Sequence, residues 1–191
     1  MENISFRPFT DNDLDKMYNW LLKDFVHEWF ANGCNITMDF VKRVFGGESE
    51  TLKKWIIQID DKDIGYIQSY YYSDDDGISN KYKKEIGSDD GSMSFDFFIG
   101  EENFIHKGYG KHIIKNFLDN IAFKDPRCTN LIVGPRTKNT ASIKTLEKNG
   151  FKYYKDTIDD KGRDEYMMIL HKYLNINNEF SPENTLTLSG L

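Results

Sequence analysis

Cysteine is nearly absent: only Cys34 and Cys128 occur in 191 residues. Two isolated thiols cannot build a disulfide framework or a zinc site, so a reducing cytosol is the simpler expectation. Long apolar runs are missing too, and nothing approaches the roughly 20 residues that a spanning helix needs. Residues Met1 to Phe9 lack the basic-then-apolar pattern of a secretory leader. The expectation is therefore a cytoplasmic protein with no membrane partner. Positive charge is in deficit, with 25 Lys and Arg against 31 Asp and Glu, a formal net charge of −6. That argues against nucleic acid, whose binders carry a basic footprint, and it suits a cationic partner if the acids are clustered. Alanine is scarce, and no internal repeat or linker divides the chain.

What is abundant is aromatic: 14 Phe, 11 Tyr and 3 Trp. With 39% hydrophobic and 29% charged residues, a chain of this length can bury one real core. Ile4 to Phe9 reads as a strand. Thr10 and Asp13 then form a helix-start pair, and Leu14, Met17, Tyr18, Leu21, Leu22 and Phe25 follow a 3.6-residue period. A second helix is expected from Thr37 to the Gly46-Gly47 pair. Trp55–Ile59 and Ile64–Tyr72 read as strands joined by the polar turn Asp60-Asp61-Lys62-Asp63. Residues 73 to 91 read as a long polar loop, of the kind that is usually functional or disordered. Ser92–Gly100 returns to strand chemistry. A helix then follows from Gly108, a strand at Asn130–Gly134, a helix at Asn139–Asn149, and strands at Phe151–Lys155 and Glu165–Leu170. The fold class is α/β (α+β), with one mixed twisted sheet flanked by about four helices in a single domain over 1–174. The tail, 175–191, is expected to be disordered or partly vector-derived; Glu179-Phe180 is a dipeptide that an in-frame restriction site can encode.

The acids are indeed clustered. Between Asp74 and Glu102 lie nine acids and three lysines, a local balance of −6, leaving 22 acids and 22 bases elsewhere. Six of the nine, Asp74, Asp75, Asp76, Glu85, Asp89 and Asp90, fall in the loop before Asp96.

His106-Lys107-Gly108-Tyr109-Gly110-Lys111 sits between a strand and a helix. Its glycines permit a tight turn with exposed N–H groups, and the helix dipole adds partial positive charge, a combination suited to phosphate. A dinucleotide fold would want three glycines early in the domain, and this loop lies past mid-chain. Some thirty residues on, Asn139-Thr140-Ala141-Ser142 opens a one-face helix that closes at Gly150-Phe151. Together the two stretches resemble the GNAT superfamily of acetyl-CoA-dependent N-acetyltransferases, and the element order agrees over residues 1 to about 174. Met17-Tyr18-Asn19-Trp20-Leu21, His27-Glu28-Trp29-Phe30, Ile64-Gly65-Tyr66-Ile67-Gln68-Ser69-Tyr70 and Phe95-Asp96-Phe97-Phe98-Ile99-Gly100-Glu101 resemble the aminoglycoside 6′-N-acetyltransferases in order.

The resemblance implies direct acetyl transfer from acetyl-CoA to the 6′-amine of an aminoglycoside, conferring resistance, with no metal. It places the general base at Asp96, which strand alternation sets opposite Phe95 and Phe97. It implies cosubstrate contacts along Phe97, Phe98 and Ile99, with a backbone N–H of Phe97 or Phe98 polarising the thioester carbonyl, and through His106, Lys107, Gly108, Tyr109, Gly110, Lys111 and Asn139. Arg136, Lys138 and Lys144 are candidates for the 3′-phosphate. A polycationic acceptor wants carboxylates and aromatic walls, for which Trp29, Phe30, Tyr66, Gln68 and Tyr70 are candidates beside Asp96. Two departures stand out. Leu146 occupies the place of the usual general-acid tyrosine, leaving Tyr109, Tyr153 or water, and Gly134 replaces an Asp before Pro135. Other readings with the same fold are a polyamine, siderophore-precursor or protein N-terminal acetyltransferase; a non-catalytic acyl-CoA-binding module is a further one. A monomer or a homodimer is expected.

Overall fold

The computed structural model describes residues 3–31, 33–74, 91–159 and 162–172. The acidic candidates Asp75, Asp76, Glu85, Asp89 and Asp90, and the tail 175–191, lie outside the described residues. Seven strands form one sheet: β1 Ile4–Pro8, β2 Leu52–Ile59, β3 Lys62–Tyr71, β4 Ser92–Ile99, β5 Asn130–Val133, β6 Lys152–Ile158 and β7 Asp164–His171, in the order β1-β2-β3-β4-β5-β7-β6. Among the described residues the α-helices are α1 Leu14–Leu21, α2 Asp24–His27, α3 Met38–Phe45, α4 Tyr109–Asn120 and α5 Thr140–Glu147.

Alternation along the strands builds two cores, one on each face of the sheet. On one face Ile57, Ile59, Ile67, Met93 and Phe95 meet Ile113, Ile114, Phe117 and Leu118 of α4 and Leu146 of α5. On the other, Ile56, Tyr66 and Phe98 meet Leu14, Met17, Trp20, Leu21, Val26, Val41 and Phe45 from α1 to α3. Each apolar position of α1 and α4 recurs at three- or four-residue spacing, which is why both helices present one face inward. Arg7 ties the start of the chain to this frame, donating to Asp13 at 2.6 and 2.9 Å and to Asp63 at 3.1 Å.

Two local expectations change. The period from Leu14 to Phe25 is not one helix: α1 stops at Leu21, Lys23 is extended, and α2 begins at Asp24. Lys23 Nζ donates to the Gly100 carbonyl at 2.6 Å and lies 3.2 Å from the Glu101 carboxylate, which fixes the break. The β2–β3 turn is tighter than the acidic tetrapeptide suggested, because Asp60 and Asp61 both take positive φ (47° and 62°) and Lys62 already belongs to β3. That pair is the twisted two-residue hairpin geometry, and aspartate tolerates it better than most side chains.

The feature that creates a site is a splayed pair. Strands β4 and β5 run parallel and pair only at Ser92↔Asn130 and Met93↔Leu131. Beyond Met93 the two strands part, while β4 continues to Ile99 against β3 alone.

Candidate active site

The gap between β4 and β5 opens into a cleft of about 940 Å³. Its walls come from β4, the turn after β5, the loop before α4, the face of α5 and an apolar lobe from α1 to α3. Asp96, Gln68, Phe97, Phe98, Ile99, His106, Gly108, Tyr109, Gly110, Lys111, Asn139, Trp29 and Phe30 all line it, so most of the residues singled out in the sequence converge.

Asp96 has solvent contact along the cleft, yet the protein packed around it pushes its carboxyl above the usual carboxylate range. Gln68, directly opposite on β3, donates from Nε2 to Asp96 Oδ2 at 3.0 Å and pulls weakly the other way. The Gln68 amide is itself oriented, because Tyr66 donates its hydroxyl to Gln68 Oε1 at 2.9 Å. Three side chains of adjoining strands thus form a chain that ends on the carboxylate.

The expected substrate wall at Tyr66 is corrected. Its ring is fully buried, with the Phe9, Phe45 and Phe98 centroids at 5.5, 5.7 and 5.8 Å. Its place on the helix-covered face of β3 makes it a core residue with a polar tip, and that burial raises its phenol pKa. Tyr70 does not line the cleft either; it packs edge-on against Tyr72 in a small cluster with Ile132 and Met167. Trp29, 38% exposed, and Phe30 do face the cavity.

The β4 backbone presents its amides by alternation. The Gly100 N–H bonds the Ile64 carbonyl at 2.8 Å, in register with the pairs Tyr66↔Phe98 and Gln68↔Asp96. In an antiparallel ladder the amides of alternate residues point to the same neighbour. Those of Asp96 and Phe98 therefore turn to β3, and those of Phe97 and Ile99 turn to the open gap. Of the two amides that sequence left as candidates, Phe97 faces the cleft and Phe98 belongs to the sheet.

Gly108, in the left-handed conformation at φ 84°, caps α4, whose axis starts at the cleft. Lys107 is exposed and outside the lining residues, whereas Lys111 and His106 line the wall. Gly110 is where α4 approaches α5: a Cβ there would come within 3.3 Å of the Thr145 methyl. Asn139 caps α5, its side-chain oxygen accepting from the Ser142 N–H at 3.1 Å, which leaves its amide NH2 as the group to offer a ligand. Of the three basic candidates only Arg136 lines the cleft; Lys138 and Lys144 are exposed elsewhere. Leu146 is buried on the wall and carries no proton. Tyr109 lines the cleft, while Tyr153 is half exposed outside it. Among the described residues no group of three or more His, Cys, Asp or Glu is placed to hold a metal, and no helix is long and apolar enough to cross a membrane.

Sequence reading missed part of the wall. Asp159, Arg163 and Glu165 enter from the β6–β7 hairpin, and Phe25, Phe40, Phe45 and Leu52 add to the apolar lobe. Their periodicity marks the latter as core, and no sequence signal separates a core aromatic from one at a cavity edge.

A sheet splayed between β4 and β5, with a glycine-capped helix aimed into the split, defines a class. Residues 10–158 match the acetyltransferase (GNAT) domain. The chain belongs to the GNAT family, and with that it is an acetyl-CoA-dependent N-acetyltransferase. Among characterised relatives it is similar to the aminoglycoside N(6′)-acetyltransferase type 1 of Klebsiella pneumoniae, with 25% identity over 173 residues covering 87% of this chain and 83% of that protein. The Serratia marcescens protein of the same name matches to the same degree. Among solved structures it is similar to aminoglycoside acetyltransferase AAC(6′)-Ib bound to coenzyme A, with a TM-score of 0.81, 22% identity and coverage of 93% of this chain and 99% of that one. The same enzyme bound to paromomycin and acetyl-CoA gives a TM-score of 0.82, with coverage of 95% and 99%.

Proposed function

We propose that this chain transfers acetyl from acetyl-CoA directly to the 6′-amine of aminoglycoside antibiotics, conferring resistance. The observation that carries the reading is the Tyr66–Gln68–Asp96 chain, which holds one carboxylate of raised pKa on the wall of the open β4–β5 gap. Two relatives named for this activity supply the acceptor class.

Acetyl transfer needs a neutral amine beside a polarised thioester. Asp96 accepts the proton of the acceptor ammonium, and the freed amine attacks the thioester carbonyl. The Phe97 N–H donates to the oxygen on which negative charge develops. The α4 N-terminus and the loop amides receive pyrophosphate, with Lys111 alongside, and Arg136 on the cleft wall is the candidate for a further phosphate. Collapse of the adduct expels the thiolate of coenzyme A; the attacking nitrogen releases its remaining extra proton to water, and the thiolate takes its proton from Tyr109 or from water, since Leu146 offers none. Trp29 and Phe30 give the sugar rings apolar faces.

Thiol release from acetyl-CoA, measured with kanamycin, spermidine and a peptide offered separately, tests the reading. Turnover with kanamycin well above the other two is expected. Turnover with spermidine or peptide but none with kanamycin transfers the enzyme to another acceptor class.

A further inference from the structure

Strand alternation puts Tyr66 and Gln68 on one face of β3, and the register sets them opposite Phe98 and Asp96 of β4. The Tyr66 ring is held on all sides, fully buried among the rings of Phe9, Phe30, Phe45 and Phe98. Those rings offer its hydroxyl nothing, and Gln68 Oε1 at 2.9 Å is its one hydrogen-bond partner among the described residues. Burial keeps the phenol protonated, so it has a single proton to give. A glutamine amide has two ends, an oxygen that accepts and an NH2 that donates. Gln68 turns its NH2 to Asp96 Oδ2 at 3.0 Å. Reversed, it would set oxygen against the carboxylate and leave the Tyr66 proton stranded in an apolar shell, where an unpaired donor bears its full desolvation cost. The phenol therefore selects the orientation in which Gln68 supports an ionised Asp96, and the bond to Oδ2 leaves Oδ1 to take the acceptor's proton.

Other charged groups of the cleft stand off from this chain. His106, Lys111, His112 and Lys148 line its helix side, and Arg136, Asp159, Arg163 and Glu165 line the wall across the gap. None of them hydrogen-bonds Asp96, whose one side-chain partner among the described residues is Gln68. We propose that Tyr66 is a positioning residue: without touching substrate, its hydroxyl fixes the Gln68 amide and, through it, the Asp96 carboxylate that acts as base. The inference rests on the function proposed above, and on Asp96 as its base.

The test is the pH profile of kcat/KM for kanamycin, since a carboxylate that loses a hydrogen-bond donor ionises at higher pH. In Tyr66→Phe, which keeps the ring and removes the hydroxyl, the acid inflection should move up by about 0.5–1 pH unit and kcat should fall by about three- to tenfold, the range of one hydrogen bond. Acetyl-CoA affinity, followed by calorimetry, should stay within about twofold. Gln68→Met should move the inflection the same way and further. Adding Tyr66→Phe to Gln68→Met should then leave the inflection where it was, because the hydroxyl acts only through the amide. Phe9→Leu, which loosens the same ring cluster outside the cleft, should lower the thermal midpoint without moving the inflection. A wild-type inflection in Tyr66→Phe overturns the assignment. So does a full further shift in the Gln68→Met background, or an equal shift in Phe9→Leu, which would mark a structural role. Failure of the parent reading shows separately, as an inflection that persists in Asp96→Asn or as no wild-type turnover with kanamycin, and it removes this inference too.

Discussion

Asp96 is the proposed general base, and its environment makes a directional prediction. Crowding raises its pKa, so the carboxyl stays protonated to higher pH than the ordinary value of 3.8 and acts as a base only once ionised above the raised value. The rate constant kcat/KM for the acceptor should therefore climb with pH through an inflection above that ordinary value. Asp96→Asn should lower kcat by about 10²- to 10⁴-fold and abolish that limb, while acetyl-CoA binding, followed by calorimetry, stays unchanged. Persistence of the inflection in Asp96→Asn would assign it to another group. At this scale the sequence was partly legible. Alternation and the glycine loop downstream located Asp96, but its hydrogen bond comes from Gln68, 28 residues away and brought opposite only by the β3–β4 register. Tyr66 was misread for the same reason: an aromatic with a hydroxyl looks equally apt for a sugar wall or a core, and only the helices laid over that face decide.

At the scale of elements, α1 is locked to the end of β4, the strand that carries Asp96 and the Phe97 amide. Trp20, fully buried, donates its indole N–H to Glu101 Oε1 at 2.7 Å, and its ring lies edge-on to Phe98 with centroids 6.0 Å apart. Gly100 lets the two approach: a Cβ there would sit 2.4 Å from the Trp20 ring. Gly100→Ala should cost about 1–3 kcal/mol of stability through overpacking, read as a lower urea midpoint at constant m-value. Combined with Trp20→Ala, which vacates the space, the loss should be smaller than the sum of the two single variants. Strict additivity would mean that the contact does not bear on stability. The helices themselves were readable from their 3.6-residue period, and α3 starts beside Thr37 as expected, with Thr37 as its cap accepting from the Phe40 N–H at 3.1 Å. The break after Leu21 was not readable, since Lys23 finds its partners at Gly100 and Glu101, some 77 residues along the chain. Likewise β7 pairs with both β5 and β6, inserting between them, a swap that consecutive strand order does not announce.

At the scale of the whole molecule, the charge of −6 gains a finer distribution than composition alone provides. Of the nine acids between Asp74 and Glu102, four are among the described residues, and two of these are held by structural partners. Asp74 accepts from Arg127 at 2.8 Å, with that guanidinium 4.0 Å from the Tyr71 ring centroid, and Glu101 binds Trp20 and Lys23. Asp96 lines the cleft. Five of the remaining acids, Asp75, Asp76, Glu85, Asp89 and Asp90, share with Lys81, Lys83 and Lys84 the segment outside the described residues, and by sequence that segment carries a net negative charge. A segment of one sign raises the local concentration of an oppositely charged ligand, and salt screens that effect over a Debye length. For a polycationic aminoglycoside, kcat/KM should therefore fall steadily as KCl is raised from about 0.02 to about 0.5 M, whereas a monoamine sugar should show a much shallower slope. Changing Asp75, Asp76, Asp89 and Asp90 together to Asn should flatten the kanamycin slope, with kcat at saturating substrate and the thermal midpoint preserved. A slope that survives those four changes would locate the attraction in the cleft carboxylates Asp96, Asp159 and Glu165, instead of in the acidic segment before β4.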